Sequence, residues 1–149
     1  MATTVFTKRI NLEIKSLKDC PMVSAEPQED NLRIWNATIQ GPIDTPYEGG
    51  IFKLQIKLPE RYPFVAPKVK FLTKIFHPNI DENEICIDFL EDKWSPVLNI
   101  SKILLSISSM LIDPNPESAL NDEAAELYEN DIDKYNETIR DYVKQFASE

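Results

Sequence analysis

Glycine, cysteine and histidine are scarce in this chain, at three, two and one of 149 residues, and each shortage closes off a class of protein. So little glycine beside 42% hydrophobic residues argues against a low-complexity, disordered chain. Cys20 and Cys86 are too few for a disulfide framework. With the lone His77 they fall short of the four ligands of the usual structural zinc site, so no metal is expected. Long apolar runs are also missing, and Met1-Ala2-Thr3-Thr4 opens no signal peptide, so the expected location is cytosol or nucleus, with no membrane partner. Positive charge is in deficit, 16 basic against 25 acidic residues for a net charge of −9, which disfavours a nucleic-acid partner.

What remains is enough for one domain. A chain of 149 residues and 17.2 kDa buries about two-thirds of its unfolded surface without staples. Eleven prolines point to rigid turns. Charge is uneven along the chain: from Thr3 to Lys18 the basic Lys8, Arg9, Lys15 and Lys18 face one acid, Glu13, whereas from Glu117 onward ten acids face Lys134, Arg140 and Lys144. The basic end offers a docking face for an acidic protein surface, or is simply a solvated helix face.

Phe6, Ile10, Ile14 and Leu17 recur at helical spacing between a Thr4 cap and the stop at Cys20-Pro21, predicting an amphipathic first helix with its four basic residues mostly off the buried stripe. Extended runs follow at Leu32 to Ile39, Ile51 to Leu58 and Lys68 to Leu72, with Val23 to Glu26 as an edge strand. Gly41-Pro42, Glu48-Gly49-Gly50, Pro59, Pro63 and Pro67 punctuate them, so a four-stranded antiparallel meander is expected. Asn79 to Asn99 lacks periodicity and reads as a long functional loop. Asn99 caps a central helix with Ile103, Leu104, Ile107, Met110 and Leu111 inward, ended by Pro114 and Pro116. Two more helices fit Asp122 to Asn130 and Ile132 to Phe146. The order implies an α+β domain.

The chemistry concentrates in the aperiodic loop. Cys86 is a nucleophile once ionised, although its acidic neighbours Glu84 and Asp88 raise its pKa; it also fits a small core position between Ile85 and Ile87. His77 suits either the base of a Cys-His pair, as in a thiol hydrolase, or a loop fastener bonded to backbone. Asn79 suits a turn or an oxyanion donor. Phe64, on a proline-bounded turn, suits a surface anchor or a buried ring.

Taken together, His77-Pro78-Asn79-Ile80, Ile85-Cys86-Ile87-Asp88, Trp94-Ser95-Pro96-Val97-Leu98, Tyr47-Glu48-Gly49-Gly50, Tyr62-Pro63-Phe64 and Asp113-Pro114-Asn115-Pro116 resemble the catalytic core of ubiquitin-conjugating enzymes, the E2 family, and most closely its compact, broadly acting ubiquitin members. The resemblance runs over nearly the whole chain and implies a single catalytic domain over 1–149 without sizeable extensions, a monomer, and no cofactor on this chain, since ATP is used by the activating enzyme (E1). It implies that Cys86 accepts ubiquitin from E1 as a thioester and yields it to a lysine amine with a RING or HECT ligase (E3). Asn79 then acts as oxyanion stabiliser or loop organiser, Asp88 orients and deprotonates the amine, Ser118 stands where a second acid often lies, and His77 and Pro78 are structural. Lys8 and Arg9 resemble E1 contacts. Arg9, Phe64, Ser95, Pro96 and Val97 resemble the E3 surface, Leu105 and Ser109 the donor-ubiquitin surface, and Ser24 the back-face ubiquitin site. A catalytically weak E2-like module that binds ubiquitin or a partner E2, and an E2 for another ubiquitin-like modifier, are the alternatives. The chain departs from the family where Asn83-Glu84 replaces a glycine before the cysteine, which leaves any positive φ to Asn83. It departs again at Val97, often alanine, and at Glu91-Asp92, often basic or neutral.

Overall fold

The computed structural model describes residues 5–81, 84–85 and 93–148, residue 84 by its backbone alone. Cys86, Asp88, Asn83, Glu91, Asp92 and the Thr4 cap lie outside the described residues. Helix α1 spans Val5–Leu17 and buries Ile10 and Leu17, with Phe6 and Ile14 half-buried beside them. An acid shares that stripe: Glu13 is only 3% exposed.

Strands β1 (Val23–Gln28), β2 (Asn31–Gln40), β3 (Ile51–Lys57) and β4 (Lys68–Phe71) form an antiparallel sheet in chain order. Its register sets Trp35 against Ile56, Ala37 against Leu54 and Ile39 against Phe52, so one face is apolar throughout. Strand ends differ from expectation by one or two residues. β1 continues through Pro27 because it is an edge strand, and the register shifts between Pro27 and Gln28. β4 stops at Phe71, as the amides of Leu72 and Thr73 both turn to the Lys53 carbonyl at 2.7 and 3.2 Å.

The stretch read as irregular contains a short antiparallel pair, β5 (Ile80–Asp81) with β6 (Glu84–Ile85), which is too brief to leave any alternation in the sequence. Ile85, the last described residue before Cys86, is thereby held opposite Ile80, which is buried.

Helix α2 (Ile100–Ile112) starts where the Asn99 side chain accepts from the Lys102 amide. Ile103, Leu104 and Ile107 are fully buried against the sheet core, each worth about 1.5–3 kcal/mol relative to exposure. A 3₁₀ turn at Pro116–Ser118 leads to α3 (Asp122–Asn130) and α4 (Ile132–Phe146), capped by Asn121 and Asp131. A Cβ on Gly41 would meet the Tyr47 carbonyl oxygen at 1.7 Å, so only glycine fits there, and Gly49 takes a φ of 87°. The Tyr62–Pro63 bond is cis.

Candidate active site

Proline explains why the histidine sits where it does. The Met110 carbonyl near the end of α2 would normally accept from residue 114, but Pro114 has no N–H. His77 Nε2 fills that vacancy at 2.7 Å, while Nδ1 accepts from the Asn79 amide at 3.0 Å. One nitrogen must donate and the other accept, so the ring is neutral with its proton on Nε2. Burial pushes its pKa down to about 4, against a smaller opposing pull from the Met110 carbonyl. Both nitrogens are thus engaged by backbone.

Asn79 is 1% exposed, and its amide is also fully engaged. Nδ2 donates to the carbonyls of Asn115 at 2.7 Å and Ser118 at 3.1 Å, and Oδ1 accepts from the Asn115 amide at 2.9 Å. These backbone partners fix the amide's orientation, since a flipped side chain would face two carbonyls with an oxygen. The geometry is that of a loop organiser, with neither amide hydrogen left for an oxyanion. Buried Pro78 completes the fastening by accepting from the amides of Leu120 and Asn121 at 2.8 and 3.0 Å. Ser118 is half-buried and its hydroxyl lies 3.4 Å from Asn115 Nδ2.

A second network lies around α1. Glu13 Oε1 accepts from the Ile100 amide at 2.7 Å, at the positive end of α2, while Oε2 accepts from the Tyr62 hydroxyl and from Arg9 Nε, the latter at 3.2 Å. Arg9, expected off the buried stripe, is instead half-buried and donates to the carbonyls of Pro96 at 2.9 Å and Leu98 at 2.6 Å. Its side chain is long enough to cross from α1 to the 94–98 turn while its stem packs on the protein. The Tyr62 ring lies 5.8 Å from that of Trp94, whose indole donates to the Pro63 carbonyl at 2.8 Å. Burial and then the Glu13 charge push the Tyr62 hydroxyl above its usual pKa, and Arg9 pulls it back in part.

Phe64 and Val97 project from the two turns joined by this network and are 74% and 76% exposed. Pro96 is exposed beside them and Ser95 half-buried. Lys8 is exposed on α1, and Leu105 and Ser109 lie on the outward side of α2, Leu105 being 44% exposed. Ser24 is on the opposite side of the sheet, 2.5 Å from the Thr38 hydroxyl, in a groove of about 420 Å³ lined also by Glu26, Asn36, Lys53 and Leu72. The structure therefore brings together His77, Pro78, Asn79 and Ser118 in one cluster and Arg9, Phe64, Ser95, Pro96 and Val97 in another, with Ser24 apart.

Sequence reasoning missed Glu13, Tyr62 and Asn115 as partners. Glu13 left a signal, an acid between Ile10 and Leu17 on an otherwise apolar stripe. No group of three or more His, Cys, Asp or Glu positioned to hold a metal occurs among the described residues, and no described helix is long and apolar enough to cross a membrane.

A family model described as ubiquitin-conjugating enzyme matches residues 9–143. Among solved structures, the crystal structure of a candidate ubiquitin conjugating enzyme from Plasmodium yoelii is similar at a TM-score of 0.93 and 37% sequence identity, covering 100% of this chain and 99% of that one.

Proposed function

The chain belongs to the ubiquitin-conjugating enzyme family, and from that premise we propose that it carries ubiquitin as a thioester on Cys86 and transfers it to lysine amines. The family fold is the α+β one described above: an N-terminal helix, a four-stranded meander, a central helix and two C-terminal helices. In the proposed cycle the Cys86 thiolate attacks the E1-bound ubiquitin thioester; a new carbon–sulfur bond forms and the E1 thiolate leaves. This exchange between like bonds needs no strong base. A lysine amine then attacks the carbonyl, its proton passes to Asp88 or solvent, an isopeptide bond forms and the Cys86 thiolate departs. The oxyanion in this step is the harder one to stabilise.

The observation that carries the reading is the engagement of His77. A hydrolytic Cys-His pair needs a basic imidazole turned to the thiol, and this ring is buried, held near pKa 4 and bonded through both nitrogens to backbone. A carrier thiol has no such need. The proposal takes residues 1–149 as one catalytic domain acting as a monomer in cytoplasm or nucleus, with ubiquitin, E1 and RING or HECT ligases as partners, Lys8 and Arg9 toward E1, and Leu105 and Ser109 toward donor ubiquitin.

Incubation with E1, ATP and ubiquitin tests it on a gel. The wild type should form a thiol-sensitive adduct, Cys86→Ser a reductant-resistant one and Cys86→Ala none; normal charging of the alanine variant sinks the assignment. Parallel lanes with other ubiquitin-like modifiers decide which modifier is carried.

A further inference from the structure

Glu13 is a carboxylate 3% exposed at the meeting point of four segments. It holds the first amide of α2, the hydroxyl of Tyr62 on the turn that carries Phe64, and the guanidinium of Arg9. Arg9 in turn holds two carbonyls of the turn that carries Val97. Three donors converge on two oxygens, so a carboxylate satisfies all of them. A neutral amide of the same shape would place its NH₂ against at least one N–H or O–H. Burying a charge this deeply is costly unless every donor is aimed at it, and here the donors come from the segments that frame the exposed pair Phe64 and Val97.

We propose that Glu13 is a positioning residue that presets the Phe64, Pro96 and Val97 surface for a ligase partner by aiming Arg9 at the 94–98 turn and fixing the start of α2. The inference rests on the ubiquitin-transfer reading for its partner, and on geometry alone for the order it confers on the turn. Glu13 holds Nε of the same guanidinium whose two Nη groups reach Pro96 and Leu98, so it restrains the fork in the orientation that bonds the turn; without that restraint the fork gains other rotamers at the expense of those two hydrogen bonds.

The test has two arms. In the first, ubiquitin discharge from Glu13→Gln to free lysine is titrated with a RING domain that stimulates the wild type. The RING concentration at half-maximal rate should rise about 10-fold, with the rate at saturation and the RING-free discharge within about two-fold of wild type. An unchanged half-maximal concentration, or a loss shared equally by RING-free discharge, overturns the proposal. In the second arm, which needs no E1 or ubiquitin, amide exchange of Leu98, bonded to the Ser95 carbonyl at 3.0 Å, is compared in wild type and Glu13→Gln. It should quicken by about 10-fold while amides of α4 keep their protection; equal exchange at Leu98 overturns the proposal. Arg9→Lys, which keeps the charge but has one ammonium for two carbonyls, should quicken Leu98 exchange likewise, and supplies the reading if Glu13→Gln does not fold. A wild type that E1 cannot charge refutes the transfer reading and leaves the exchange arm to decide this one.

Discussion

Two buried polar networks fasten this molecule, and they use opposite electrostatics. Around His77 and Asn79 every group is neutral and every partner is backbone, joining the β5 region to the end of α2 and the Asn115–Ser118 turn. Around Glu13 and Arg9 the groups are charged and the partners mix side chain with backbone, joining α1, the Tyr62 turn, the 94–98 turn and the start of α2. The neutral network lies beside β5; the charged one sits under the exposed aromatic and aliphatic side chains. A neutral network fastens backbone segments to one another without adding net charge between them. A charged one holds long side chains at fixed reach, which suits a surface assembled from separate segments.

The largest effect should come from cutting the neutral network at its centre. Asn79→Ala leaves the Asn115 amide and the carbonyls of Asn115 and Ser118 without their side-chain partner, and at 1–3 kcal/mol for each group that stays buried the loss should be about 4 kcal/mol in urea unfolding. Discharge to lysine should slow by about 10-fold or more through loosening of the fastened backbone, while charging persists. Equal stability and equal discharge would remove Asn79 as the fastening residue.

His77 sharpens the contrast through pH. Its folded pKa of about 4 lies below the ordinary 6.5, so between those values the unfolded chain binds a proton that the folded one refuses. Stability therefore is fully present above pH 6.5, falls as pH drops through the window, and by pH 4 has lost about 3 kcal/mol at 1.36 kcal/mol per unit. His77→Gln, which cannot titrate, should flatten that part of the unfolding-versus-pH curve; an unchanged slope would mean that other groups set it.

Much of this arrangement is legible in the sequence, and the limits have physical causes. The bounds of α3 and α4 follow from Asn121, Asp131 and the acids after them, because caps are local. The β-meander follows from period-two alternation, and β5 and β6 escape because two residues hold no period. Asn79 is visible as a turn or donor residue, but its choice between those roles depends on carbonyls 36 and 39 residues away. Glu13 is harder still. On a helix an acid ordinarily faces water, and only the approach of Tyr62, 49 residues on, and Ile100, 87 residues on, makes its burial tenable.

The smallest effect tests whether the charged network is graded. Tyr62→Phe removes one donor to the Glu13 carboxylate and the weak contact from Arg9 at 3.5 Å, while the amide of Ile100 and Arg9 Nε remain. Loss of one hydrogen bond to a charged group should cost about 1.5 kcal/mol, less than half of the Asn79→Ala effect, because no backbone group is orphaned. The pair is nearly closed to solvent, so raising salt from 0.1 to 1 M should leave this difference unchanged, whereas an exposed pair would lose it to screening. If the difference vanishes in salt, water reaches Glu13, and the charged network is a surface ion pair rather than the buried counterpart of the His77 fastening.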